Sequence, residues 1–318
     1  MKEIGGYFGL EQLISNEYYK DLIALNTARN ALLYVLKARK IRKLYIPDLL
    51  CDSVSNMCNR EGYAYSYYRI STNFIPDFDA YLEADEYIYI VNYFGQISNE
   101  KLVQLAAKYK NVIFDNVQAF FQEPVKGIDT IYSCRKFFGV PDGAYLSTDC
   151  ILEDELKTDM SRNRMKHLLG RFESDSASRF YKDFKENDDL FDSLELKKMS
   201  KITHSILGAI DYERIKKIRE NNFSFLHEQL SVNNKLQITI PTGPYAYPYY
   251  CKDGMIVKKR LAEQKIYVPT LWPNVLASRD KMAGDYSSNI LPLPCDQRYC
   301  VQDLKYMIEV IKYAGCVI

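Results

Sequence analysis

The sequence predicts an α/β protein, with a mostly parallel sheet covered by helices on both faces and a smaller α+β unit after it. Three observations carry this. Strand-like and helix-like stretches alternate through the first two-thirds of the chain, the pattern that builds parallel sheets. The runs at 87–95 and 111–115 are apolar almost throughout, as strands buried on both faces are. The tail from about residue 236 mixes short strand-like runs with helices. This reading divides the chain into a large domain, 1–215, and a small C-terminal α+β domain, 216–318.

Residues 26–40 carry Ala31, Leu32, Val35, Leu36 and Ala38 on one helical face. A strand at 43–47 is stopped by Pro47, a helix over 50–62 by Gly62, and 63–70 is a second strand. The apolar run at 87–95 ends at Gly95. Residues 98–110 form an amphipathic helix with Ser98 as N-cap. Strands follow at 111–115, 129–133 and 143–148. Residues 151–200 are rich in Lys, Asp, Glu, Arg and Ser, so partly exposed helices are expected there. Residues 203–230 read as one long helix or two. Strand-like runs are expected at 236–241, 245–251 and 266–272, with helices at 255–265 and 300–315.

Apolar residues make up 47% and charged residues 26% of the 318, enough apolar content for a real core. A net charge of +1 gives no field that would select nucleic acid or a membrane surface. The first twenty residues place acids and glycines where a signal peptide needs an apolar stretch. No run approaches the ~20 apolar residues that span a bilayer. A cytoplasmic location is expected. The cysteines at 51, 58, 134, 150, 251, 295, 300 and 316 form no CxxC pair, and only His167, His204 and His227 accompany them. No metal site is expected, and the cysteines read as reduced and mostly structural. The 27 tyrosines either line a polar cleft or reflect overall composition.

Three local features lie where ligands bind in open parallel sheets, beyond the carboxyl ends of strands. Asp115 ends the strand at 111–115, with Gln118 three residues on. A carboxylate there needs a positive partner; a protonated pyridine nitrogen would serve, and so would a plain salt bridge or helix cap. Ser133-Cys134-Arg135-Lys136-Phe137-Phe138-Gly139 follows the strand at 129–133. Apolar Phe137 and Phe138 would strip water from Lys136 and favour its neutral, nucleophilic amine; an ordinary surface Arg-Lys pair is the alternative. Asn26-Thr27-Ala28-Arg29 opens a helix whose free N–H groups suit a phosphate, although Thr27 would serve equally as a simple N-cap.

The order of these parts is a phosphate cup, a strand-end Asp, then Ser-x-x-Lys with its lysine 21 residues beyond Asp115. With the wording IPDLLCDSV, VNYFGQIS, FDNVQAFF, YSCRKFFGVPDGAYL and LPLPCDQRY, it resembles the DegT/DnrJ/EryC1/StrS sugar aminotransferases, over most of the chain and most weakly over 151–200. The resemblance implies the fold-type-I, aspartate-aminotransferase-like architecture and pyridoxal 5'-phosphate as cofactor. It implies that Lys136 holds the cofactor and shuttles protons, that Asp115 pairs with the ring nitrogen and that Gln118 bonds the ring's phenolic oxygen. Ser133, Thr27 and the backbone N–H groups of Ala28 and Arg29 would hold the phosphate. Tyr7 and Phe8, after Gly5-Gly6, would border the active site, and Trp272 and Arg298 would touch substrate, with Trp272 as plain core the alternative. The implied reaction moves an amino group from an amino acid, glutamate above all, to a nucleotide-linked keto-sugar, in polysaccharide or amino-sugar biosynthesis. A homodimer is implied, with small-molecule substrates and neither nucleic acid nor membrane as partner.

The chain also departs from that family. Three steps instead of five separate Ser133 from Lys136, and Val140-Pro141-Asp142-Gly143 follows in place of a GEGG-like stretch. Cys51 stands where many members have an aromatic over the cofactor ring. Leu196-Lys197-Lys198-Met199-Ser200 stands in place of Asn-x-Arg-Met-Ser, whose Asn or Arg reaches across the dimer. A non-catalytic regulatory or scaffold subunit is the alternative these departures leave open.

Overall fold

The structure is a computed structural model that describes residues 4, 6–11, 13–277 and 281–313. Gly5 and Cys316, both singled out in the sequence, lie outside the described residues. A short strand, β1 (Ile23–Leu25), precedes α1 (Ala28–Ala38). Thr27 caps α1: its backbone is extended and its hydroxyl accepts the Asn30 N–H at 3.0 Å. The expected apolar stripe is buried, with Ala31, Leu32, Val35 and Leu36 at 0% exposure. Next come β2 (Lys43–Pro47), α2 (Asp52–Glu61) and β3 (Ala64–Ile70). Gly62 ends α2 in the left-handed region that glycine enters freely. Then follow β4 (Pro76–Asp77), β5 (Glu86–Val91), α3 (Asn99–Tyr109), β6 (Val112–Asp115), β7 (Asp129–Ser133) and β8 (Ala144–Ser147). Ser98 caps α3 through the Lys101 N–H.

The eight strands form one sheet in the order β1-β8-β7-β6-β5-β2-β3-β4. The central strands β7, β6, β5, β2 and β3 run parallel; β8, β1 and β4 are added at the edges, each by antiparallel pairing with its inner neighbour. Val91 pairs with Asp115, and Asp115 with Ile131. The carboxyl ends of β5, β6 and β7 therefore open on one edge of the sheet.

Residues 151–200 contain α4 (Lys166–Ser174) and α5 (Tyr181–Leu190). The stretch at 203–230 divides into α6 (Lys201–Gly208) and α7 (Tyr212–Leu230), the second capped by Asp211. β9 (Tyr247–Tyr250), α8 (Gly254–Glu263), α9 (Lys281–Asn289), β10 (Ile290–Leu293) and α10 (Val301–Tyr313) complete the chain. β9 and β10 pair antiparallel into a second sheet. They enclose a core with Phe223, Leu226 and Leu230 of α7 and with Leu261 and Leu304.

Two expected strands are absent. Residues 236–241 form no ladder and bond instead to a side chain: the Thr239 N–H donates to Gln96 Oε1 at 2.8 Å, and Gln96 Nε2 donates to the Thr239 carbonyl at 3.0 Å. Residues 266–272 are broken by Pro269, which offers no N–H, and by Trp272 in a left-handed conformation. The division expected at 215/216 falls inside α7. Tyr212 of that helix packs with Phe120 and Phe138 of the large sheet's loops, whereas Phe223 packs in the C-terminal core. Cys51, Cys58, Cys134, Cys150, Cys295 and Cys300 are free thiols. Cys251 is disulfide-bonded, a departure from the expected reduced set. Among the described residues no helix is long and apolar enough to cross a membrane.

Candidate active site

A cavity of about 800 Å³ opens beyond the carboxyl ends of β5, β6 and β7. Thr27, Ala28, Arg29, Asp115, Gln118, Ser133, Lys136, Trp272 and Arg298 all line it. The sequence had singled these out from stretches up to 271 residues apart.

Asp115 forms the floor. Parallel pairing with β5 and β7 carries its carboxylate out of the sheet at 4% exposure. The Tyr89 hydroxyl donates to its Oδ2 at 2.6 Å and the Val117 N–H to its Oδ1 at 2.8 Å. Burial pushes the Asp115 pKa above the usual carboxylate value, and the Lys136 ammonium, the Tyr89 hydroxyl and the Val117 N–H oppose that rise without cancelling it. Gln118 is fixed beside it, because its Oε1 accepts the Phe94 N–H at 2.8 Å. Phe94 has a φ of 55°, uncommon for a residue with a side chain, so this bond steadies a strained turn.

Lys136 sits in a single tight turn in which the Cys134 carbonyl accepts from the Phe137 N–H at 3.0 Å and the Phe138 N–H at 2.9 Å. Its side chain is exposed, with Nζ 5.7 Å from the centre of the Tyr245 ring. The expected desolvation by Phe137 and Phe138 does not occur. Successive residues in a turn point different ways, and both rings are buried against Phe120, at centroid distances of 5.6 and 4.9 Å.

At the expected phosphate cup the Thr27 hydroxyl accepts the capping Asn30 N–H and keeps its own O–H to donate, while Ala28 and Arg29 begin a helix whose first N–H groups have no intrahelical acceptor. Arg29 pairs with Asp192, and Arg135 with Asp188 at 3.3 Å. The Arg135 guanidinium also lies 3.8 Å over the Phe191 ring. Burial lowers the Arg135 pKa, with Asp188 opposing. The end of α5 thus forms the mouth of the cavity. Sequence reading missed this wall, as well as Tyr89 and Tyr245. The stretch Asp188-Asp189-Leu190-Phe191-Asp192 looks like any solvated helix end, and its partners lie far away in sequence.

Trp272 is both wall and core: it is buried, and its ring meets Tyr93 edge-on at 5.4 Å. Arg298 grips Asp296 with two hydrogen bonds of 2.7 Å. Although burial raises the Asp296 pKa, that fork holds it below the usual value. Tyr7 and Phe8 are 98% and 96% exposed and line no part of the cavity within one chain. Their segment runs along the surface of α6, where the Leu13 N–H meets Ser205 Oγ at 3.5 Å. Cys51 lines the cavity with its Sγ 2.8 Å from Ser53 Oγ. Residues 196–200 are tied into their own chain: Ser200 caps α6 and donates its N–H to Asp142 at 3.1 Å and its hydroxyl at 2.9 Å.

No family model and no curated protein matches the chain. Solved structures do resemble it. NtdA from Bacillus subtilis, a structure with bound cofactor PMP, aligns at a TM-score of 0.65 and 15% identity, over 94% of this chain and 73% of its own. A DegT DnrJ EryC1 StrS aminotransferase from Brucella abortus gives 0.64 and 15%, over 92% and 85%. PseC of Helicobacter pylori, an aminotransferase involved in the biosynthesis of pseudoaminic acid, gives 0.61 and 15%, again over 92% and 85%. At that identity the likeness speaks for architecture alone, and the chain has the fold of these aminotransferases, a large mostly parallel sheet between helices with a small C-terminal unit.

Proposed function

We propose that this chain is a pyridoxal-phosphate-dependent aminotransferase that moves an amino group from an amino acid, glutamate first among the candidates, to a nucleotide-linked keto-sugar. The observation that carries the reading is the meeting of Asp115, Gln118, Ser133, Lys136 and the start of α1 around one cavity. The residues fit the group. Among the described residues the Ser133 hydroxyl has no hydrogen-bond partner, the first N–H groups of α1 lack acceptors, and the buried Asp115 lacks a direct cationic one. When bound, the cofactor supplies an aldehyde for amines and a ring that takes up the electrons released at the substrate carbon.

In this reading Asp115 keeps the ring nitrogen protonated, which also restores charge balance to a carboxylate that burial disfavours. Gln118 keeps its amide N–H groups for the ring's phenolic oxygen, since Phe94 occupies its carbonyl. Ser133, Thr27 and the N–H groups of Ala28 and Arg29 hold the phosphate. Lys136 binds the cofactor and carries protons to and from the substrate carbon. Trp272 and Arg298 border the space left for substrate. Polysaccharide or amino-sugar biosynthesis and a cytoplasmic setting accompany the reading. So does a homodimer, supported by the exposed Tyr7, Phe8, Leu10 and Ile14 near the amino terminus; light scattering giving a monomer at micromolar concentration would sink that part.

Borohydride reduction in the presence of pyridoxal phosphate should fix the label on Lys136, read by peptide mass spectrometry. Glutamate alone should then bleach the visible band of unreduced protein, and a keto-sugar nucleotide should restore it. A label on another lysine refutes the assignment. Labelled Lys136 with no spectral change from any amino acid refutes the transaminase reading and favours the scaffold alternative.

A further inference from the structure

Arg219 of α7 is the largest fully buried side chain of the described residues, at 1% exposure, and no carboxylate pairs with it directly. Its guanidinium donates to three backbone carbonyls: Pro244 at 2.8 Å, Tyr245 at 3.5 Å and Phe137 at 3.1 Å. It also lies 4.6 Å over the Phe137 ring, and its Nε has no partner. Burying a cation this way is costly unless something compensates it. Burial pushes its pKa down, and the carboxylate that chiefly opposes this, Asp296, is already held by Arg298. Core packing alone would favour an apolar side chain at this position.

Its contacts converge on the lysine turn. The carbonyl of Phe137, the residue after Lys136, accepts from Arg219 and also from Gln297 Nε2 at 2.9 Å. Both donors come from the C-terminal part of the chain. The other carbonyls that Arg219 holds belong to the loop carrying Tyr245, whose ring lies beside Lys136 Nζ. Neighbouring residues of α7 brace the same loops. Glu220 accepts the Gly243 N–H at 3.0 Å, and Asn222 donates to the carbonyls of Asp296 at 3.3 Å and Tyr299 at 3.0 Å. At its other end the lysine turn is pinned to the large sheet, with the Cys134 N–H on the Gly143 carbonyl at 3.1 Å.

We propose that Arg219, assisted by Gln297, is a positioning residue for Lys136: by clamping the Phe137 and Tyr245 backbones together it fixes where the lysine amine stands over Asp115. The proposal rests on the cofactor reading above and adds to it a part played by the C-terminal unit.

The test uses the full-length, cofactor-free chain. Attachment of pyridoxal phosphate to Lys136 is trapped with borohydride and quantified by peptide mass spectrometry across cofactor concentration. Methylation of Lys136 by formaldehyde and cyanoborohydride, which demands no particular pose, is measured in parallel. In Arg219→Met the half-saturating concentration of pyridoxal phosphate should rise about tenfold, the scale of a lost hydrogen bond involving a charged group, and in Gln297→Leu about fivefold, the scale of a neutral one. Methylation of Lys136 should stay within about twofold, and Arg219→Lys should recover part of the loss. Leu226→Val, which loosens the same helix without touching the Phe137 carbonyl, should leave attachment unchanged. Should Arg219→Met not fold, Gln297→Leu decides. Wild-type concentration dependence in the variants, or a parallel fall in methylation, overturns the positioning role while the cofactor reading stands. Wild-type protein that never attaches the cofactor at Lys136 overturns that reading, and the positioning role with it.

Discussion

Asp115 at the floor of the cavity and Asp192 at its mouth are built in opposite ways. Asp115 is almost fully buried and is met by two neutral donors, the Tyr89 hydroxyl and the Val117 N–H, with Lys136 acting on it only electrostatically. Asp192 has a side chain that is 60% exposed and it pairs with the Arg29 guanidinium. Asp188 does the same with Arg135. The floor is a carboxylate short of positive charge; the mouth is a set of cations already neutralised. A buried, uncompensated carboxylate is a matter of several kcal/mol, roughly, whereas an exposed ion pair is worth about 0–1 kcal/mol. The floor should therefore dominate the chemistry and the mouth should only tune entry.

The largest effect is expected from Asp115→Asn. It should still bind pyridoxal phosphate but lose roughly 100- to 1,000-fold in the rate at which glutamate bleaches the band, the scale of removing one charge-stabilising group; a near-normal rate would erase the distinction drawn here. The same variant has a second signature without cofactor. The folded-state pKa of Asp115 lies above the unfolded value, so its contribution to stability is present below the unfolded value, ~3.9, and is lost as pH rises through the folded one. The cofactor-free wild type should lose Tm across that window relative to Asp115→Asn. Parallel curves would show that the floor is not short of charge.

Tyr89→Phe should come next. It removes one of the two donors, worth about 1.5–3 kcal/mol for a hydrogen bond to a charged group. Because that hydroxyl lowers the Asp115 pKa, the acid limb of the pH–rate profile should move upward. An unmoved limb would mean that Tyr89 is only packing. Asp192→Asn should do least. Freeing Arg29 should tighten pyridoxal phosphate by no more than about fivefold, in line with an exposed pair, and the gain should shrink at high salt. A change larger than that of Tyr89→Phe would reverse the ranking of floor and mouth.

The two regions also differ in how far they could be read from sequence. Asp115 ends an apolar run, Ser133 ends a short strand-like one, and Thr27 opens an amphipathic helix; each signal lies within a few residues of the position it marks, and the cavity brings all three together. The mouth has no such signal. Arg29 and Asp192 are 163 residues apart and Arg135 and Asp188 are 53 apart, so only the folded chain makes them neighbours. The solvation of Lys136 was misread for a related reason: adjacency to Phe137 and Phe138 in sequence says nothing about which way each side chain leaves the turn. The strands expected at 236–241 and 266–272 failed where a side chain, Gln96, and a proline, Pro269, took the place of ladder partners. The short β1, β4 and β10 have too few residues to show a period.

The clamp on the Phe137 carbonyl has a consequence for how the protein is made. Its donors follow that carbonyl by 82 and 160 residues. At a synthesis rate of ~5–20 residues per second, roughly 8–30 s separate the appearance of the lysine turn from that of Gln297. During that interval the nascent chain carries its lysine, its strand-end carboxylate and its phosphate cup without the part that joins them to the C-terminal unit. On the proposed reading, cofactor capture should wait for the C-terminal unit, and a fragment released early from the ribosome should bear the whole motif and hold the cofactor poorly.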